Sequence, residues 1–424
     1  MLLFKEEILH HIFQYKLFNA LQLKTINDEP LEILKVGIRN INAGPDFLNS
    51  LIKIGDTQLA GNIEIHINSS DWIKHNHQND RAYDNVILHV VYNNDKPIVQ
   101  NKIAIPTLVL KGIVDESLFV KYEHLNKNKK FIPCETSINK VPELVVNSWI
   151  DRMLAERMED KASLVNEILK NTNNSWEETF YQLLSYAFGF GLNKQVFLKL
   201  AQTLPLTIIA KHKNNLFQIE ALIFGTAGLL NDFFVDEYPK QLQNEYQFLR
   251  NKYSLNNFIK KQEWIFAKMH PSNFPTIRLA QFSKLVFQSS HLFSKIITCK
   301  NSASIQRMFH VDTSEYWESH YVFEKSSTRK IKNLGGSAID LILINTIVPT
   351  LYFYSKSNSK YRELSLNLLL ETKAENNTIT RGFDSIGLKI TSAYSSQALL
   401  HLKNNYCANK KCLNCAIGNY LIKN

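Results

Sequence analysis

Between residues 46 and 89 the chain gathers side chains able to hold a metal ion and work with it: Asp46, Glu64, His66, His75, His77, Asp80 and His89. Four of its 13 histidines lie between 66 and 89, more than an even scatter would give. Glu64 and His66 alternate with Ile63, Ile65 and Ile67 along the run Gln58 to Ile67. Strand side chains point alternately to opposite faces, so Asn62, Glu64 and His66 share one face and the isoleucines the other. The isoleucine face must be buried, which turns the polar face toward a cleft or solvent. Asp46 stands just before the neighbouring run Phe47 to Ile54, and a hairpin turning at Gly55-Asp56 brings it toward Glu64. Two carboxylates meeting over a sheet repel unless a proton or cation joins them. Mg²⁺ or Mn²⁺ is bound in that way, with water filling the remaining positions.

Asp46, Glu64 and His66 are therefore the candidate catalytic residues, His66 being suited to general-base work near neutral pH. His75-x-His77 with Asp80 is a second donor set, of the kind that takes Zn²⁺ or Mn²⁺. It serves either as a frame for Glu64 or as a separate zinc hydrolase site. The bland alternative has His75 and His77 capping loops, His89 packed in the core and Glu64 paired with a basic neighbour.

A second constellation is Cys407-x4-Cys412-x2-Cys415, three of only five cysteines within nine residues. In a reducing compartment such spacing suggests thiolate ligation, and Cys134 is the candidate fourth ligand for Zn²⁺ or an iron–sulfur cluster. The alternative is free thiols on a final helix, with Cys412 and Cys415 one turn apart.

The elements that must carry these residues read as an α+β chain. Apolar positions Phe4, Ile8 and Ile12 with Leu9, Phe13 and Leu17 form a helical stripe. Strands follow at 31–36, 47–54 and 58–67, then a polar crossover over 69–84, a strand over 86–92 and an extended segment over 103–110. Beyond the basic loop at 127–130 the pattern is helical, with long amphipathic runs over 141–170, 176–190, 196–204 and 241–253. The expected organisation is a mixed sheet with flanking helices over 1–135, a helical domain over 136–310 and a helical region with the cysteines over 311–424. The apolar stretch Ile339 to Tyr354, interrupted by Asn345 and Pro349, reads as a buried core helix. Arg278, after Asn273-Phe-Pro275, is suited to an internal salt bridge at a structural elbow or to a phosphate. Gly335-Gly336 reads as a turn.

Forty-nine basic residues against 39 acidic ones give a net charge of +10, compatible with DNA or RNA as a partner. Glu6 and Glu7 interrupt what a signal peptide needs as an apolar core, and no run reads as a membrane span. The expected location is the bacterial cytoplasm, with no membrane partner.

Two resemblances go further. Pro45-Asp46 and Glu64-Ile65-His66, within a helix–three strands–crossover–strand order, resemble the PD-(D/E)xK nuclease superfamily. That resemblance implies Mg²⁺ on Asp46 and Glu64, His66 in place of the signature lysine, and an auxiliary acid at Glu6 or Glu7. The closure of one early and three late cysteines is similar to the iron–sulfur staple of some RecB-type nucleases. Over nearly its full length the chain also resembles domain-of-unknown-function family 2851. The matching stretches include Ala43-Gly-Pro-Asp-Phe47, Gly61-Asn-Ile-Glu-Ile-His66, Ser70-Asp-Trp72, Phe188-Gly-Phe-Gly191 and Ile344-Asn-Thr346. The functional expectation is a Mg²⁺-dependent nuclease or phosphodiesterase. Its alternatives are an inactive scaffold that binds nucleic acid or a partner, and a zinc hydrolase using the histidines.

Overall fold

The computed structural model describes residues 4–21, 23–256 and 259–424. The chain is α+β and divides into two compact units, one of residues 1–149 with 402–424 and one of residues 150–401.

The first unit begins with helix α1 (Glu7–Gln14), whose Ile8, Leu9, Ile12 and Phe13 are fully buried. Strands β1 (Leu31–Lys35), β2 (Ile38–Arg39), β3 (Phe47–Ile54) and β4 (Thr57–Asn68) follow. The short helix α2 (Asp71–Lys74) and two 3₁₀ turns form a crossover to β5 (Val86–Asn93). Beyond a small hairpin of β6 (Val99–Gln100) and β7 (Ile103–Ala104), β8 (Thr107–Val109) closes a sheet ordered β1-β3-β4-β5-β8. The β1–β3 and β3–β4 pairs are antiparallel, and β4–β5 and β5–β8 are parallel. Parallel strands need a crossover, which is why the polar 69–84 segment lies where it does.

Local chemistry fixes the hairpin. Ile54 pairs with Thr57 around Gly55, whose φ of 57° suits the first position of a two-residue turn. Phe47 pairs with Ile63, and Phe13 of α1 meets Phe47 edge-on at 5.3 Å, so α1 covers the isoleucine face. A bulge between Phe47 and Ser50, with Asn49 at φ 57°, re-aims β3 beside the polar face of β4. At Gly61 a Cβ would stand 2.6 Å from the Asn85 carbonyl and 2.5 Å from Ile87, so only glycine lets the start of β5 pass.

His11 lies on the buried side of α1, 1 % exposed. Burial first, then the positive charges of Lys423 and Arg39, push it down to about 4. The unfolded chain therefore binds a proton near pH 6.5 that the folded chain refuses, so stability is lost as pH falls from 6.5 toward 4. Each such group contributes at most about 1.4 kcal/mol per pH unit. His11→Phe is expected to give a shallower loss of urea midpoint between pH 7 and 4.5 than the parent chain. Equal slopes would refute this assignment.

The second unit is helical. It includes α5 (Trp176–Phe188), α6 (Lys194–Thr203), α8 (Leu216–Thr226), α9 (Glu237–Tyr253) and α10 (Pro275–Gln288), and it takes in most of the long helix α4 (Glu143–Asn171). Gly336–Tyr354 forms one continuous helical stretch, long and apolar enough to cross a membrane and 67 % buried inside the protein. Pro349 does not break it. A π turn at Leu343–Ile347 widens the helix where a proline ring would otherwise strike the carbonyl of Asn345.

Candidate metal centre on the hairpin

The hairpin clamps its two carboxylates reciprocally. The Asp46 amide donates to Glu64 Oε2 at 3.1 Å, and the Ile65 amide donates to Asp46 Oδ2 at 2.9 Å. His10 of α1 adds a contact of 3.1 Å from its Nε2 to Asp46 Oδ2, while its Nδ1 lies 3.4 Å from the Arg39 guanidinium. Glu6 stands one helical turn before His10, its carboxylate 3.8 Å from that ring.

On the polar face of β4 both Glu64 and His66 are buried, 5 % and 1 % exposed. What covers them is the crossover. Ser70 starts α2 with its amide and hydroxyl donating to Asp95, at 2.8 and 2.7 Å. That anchor seats Trp72, fully buried, with its ring against those of His66, His77 and His89. His77 stacks on Tyr83 at 3.8 Å.

One ring nitrogen from each of His66, His75 and His77 lies within 4.8 Å of the others. His66 Nε2 is 3.1 Å from His75 Nδ1, and Glu64 Oε1 is 3.3 Å from His77 Nε2 and 3.5 Å from His66 Nε2. Ligand atoms about 2.0–2.1 Å from one tetrahedral ion stand about 3.3 Å apart, so the three imidazoles are near enough to share an ion after a small adjustment, with Glu64 beside two of them but outside the group of three. Behind His66, Nδ1 lies 2.9 Å from Nε2 of His89, which pairs with Glu64 in the β4–β5 register at the strand level. With the Nδ1 proton given to His89, the Nε2 lone pair of His66 turns to the common point.

Electrostatics agree with the geometry. Burial, then His89, His75 and His77, push His66 down to about 2, and burial pushes His89 down to about 4. Both rings are neutral, as metal ligands must be. Burial, then Asp46, push Glu64 up to about 9. Burial also raises Glu6 to about 7, helped by Asp46 and Glu64. Carboxylates driven up beside uncharged imidazoles leave a place that a divalent cation would satisfy.

Asp46, Glu64, His66, His75 and His77 are thus brought into one site. Asp80 lies outside the group of three imidazoles, its Oδ1 capping a 3₁₀ turn through the Ala82 amide at 2.9 Å. Of the two early acids, Glu6 faces the site, while Glu7 accepts from the Tyr122 hydroxyl at 3.4 Å. His10 was not among the expected residues. Its only sequence signal is the i, i+4 spacing from Glu6 on the stripe of α1.

Residues 6–378 match the family model described as "Protein of unknown function (DUF2851)". The chain belongs to this family. The match spans every residue of the hairpin site and ends before the three late cysteines. No curated protein and no solved structure matches the chain.

Two other expected features of this DUF2851 chain are placed as follows. Cys134, Cys407, Cys412 and Cys415 are free thiols, all within the first unit. Arg278 forms no internal salt bridge among the described residues. Its guanidinium donates to amide oxygens of Gln281 and Asn273 and lies 4.4 Å over the Phe190 ring, so its partners are neutral. Gly335 precedes the first turn of the helix that begins at Gly336.

Proposed function

We propose that the hairpin site is a divalent-metal centre that hydrolyses phosphodiester bonds of nucleic acid. The observation that carries this reading is the convergence of one ring nitrogen each from His66, His75 and His77 within 4.8 Å of one another, with Glu64 Oε1 beside His77 and His66. A donor set of three imidazoles fits Mn²⁺ or Zn²⁺ better than Mg²⁺, which prefers oxygen. The helix, antiparallel hairpin, crossover and parallel strand, with Asp46 and Glu64 meeting across the hairpin, support kinship with the PD-(D/E)xK arrangement. The net charge of +10 supports a polyanionic substrate.

In this reading His66, His75 and His77 hold the ion and leave a position open for water, Glu64 stands beside it, and His89 orients His66 from behind. A bound ion supplies Lewis-acid polarisation and an acidified water. Asp46, fixed by the Ile65 amide and by His10, is the carboxylate that faces the reacting group from the β3 side. Glu6, raised to about 7, is matched to accepting a proton at neutral pH. His66, buried and engaged at both nitrogens, acts as a ligand and not as the base.

The test is cleavage of labelled single- and double-stranded DNA and RNA with Mn²⁺, Zn²⁺ or Mg²⁺, beside Glu64→Gln and His77→Ala. Metal-dependent cleavage that both substitutions remove is the expected result. Metal binding without cleavage of any substrate would leave a non-catalytic scaffold, and cleavage indifferent to both substitutions would overturn the site.

A further inference from the structure

Three basic side chains of the second unit carry a proposal that is independent of the hairpin reading. Arg157 and Lys161 on α4 and Lys194 at the start of α6 act on one another electrostatically. Among the described residues none of the three has a carboxylate within ion-pair distance; Glu375 bears on all three from further away, and Asp160 on Arg157. Lys194 Nζ lies 5.4 Å from the centre of the Tyr186 ring, and the close partners of Arg157 and Lys161 are amides. Lys161 Nζ donates to Asn345 Oδ1 at 2.8 Å and to Gln397 Oε1 at 2.5 Å, and Arg157 Nε donates to the same Gln397 oxygen at 2.5 Å. Gln397 in turn donates to Glu375. Asn345 is the exposed residue of the Leu343–Ile347 π turn, a helix irregularity that recurs at functional sites.

Half-buried cations that keep only neutral partners are costly. Burial, then Arg157, hold the Lys161 ammonium well below its usual range. We propose that Arg157, Lys161, Lys194 and Asn345 bind a phosphate group, which supplies the missing negative charge. Thermal unfolding of the full chain in phosphate, against chloride at equal ionic strength, is the test. Phosphate should raise the midpoint beyond chloride, and Lys161→Met should abolish the difference without lowering the midpoint in chloride. Lys194→Gln should weaken it. Competition with a short single-stranded oligonucleotide, read by anisotropy, separates two sources of the same chemistry. Displacement by phosphate that depends on Lys161 assigns the group to a nucleic-acid backbone, and phosphate binding without oligonucleotide binding assigns it to a small phosphorylated ligand. Phosphate no better than chloride, or an equal effect in both variants, would overturn the proposal.

Discussion

Glu64→Gln is expected to lower metal-dependent cleavage by about 10²–10⁴-fold, the range for losing one positioned catalytic group, while leaving the metal-free protein no less stable. Glutamine keeps the shape of the side chain and can still accept from the Asp46 amide. What it loses is the negative charge 3.3 Å from His77 and 3.5 Å from His66. In the metal-free chain that charge is a burden, because burial and Asp46 oppose it. Removing a group that function needs and folding does not should trade activity for stability. Parallel melts in chelator and with Mn²⁺ make the test sharp. The parent chain should gain more from the ion than the variant does. A variant that binds the ion equally and cleaves at the parent rate would remove Glu64 from the site.

Trp72→Ala is expected to destabilise the first unit by about 3–5 kcal/mol, the usual cost of deleting a large buried ring. Trp72 is fully buried with Tyr83, Ile98 and Ile105, and its ring also walls in three of the histidines. The cavity left behind would free His77 and His89 to change rotamer, so ion affinity should fall with stability. Trp72→Phe should recover most of the stability and part of the affinity. Urea unfolding followed through this unit, with and without Mn²⁺, reads both. A loss below about 1 kcal/mol would mean the crossover is not held as described.

The hairpin was legible because its signals are local. Alternation along Gln58 to Ile67, the Gly55-Asp56 turn and the apolar run before it set both strands and the register that joins Asp46 to Glu64. The histidines 75 and 77 stood out by type and spacing. What spacing does not carry is which ring nitrogens meet. His66 between His75 and His89, with Asp80 turned to a cap, depends on how α2 is anchored by Asp95 some 25 residues on. His10 reaches Asp46 only once α1 has packed on the sheet. The amide-held Arg157 and Lys161 of α4 were invisible for the same reason, since Lys161 and Gln397 are 236 residues apart. Only the cysteine spacing hinted that 402–424 returns to the first unit.

That return has a consequence for how the protein is made. Residues 1–149 leave the ribosome long before 402–424 exist, and the whole of 150–401 is synthesised between them. The sheet can assemble early from its own neighbouring strands, but residues 402–424 follow only after the whole second unit. The first unit therefore waits through the synthesis of 150–401 in a nascent chain whose apolar surface is not fully covered. Any premature stop beyond 150 yields a sheet without its closing segment. A pause anywhere within 150–401 therefore holds the sheet open for as long as the pause lasts, which is when a chaperone would find its uncovered edge.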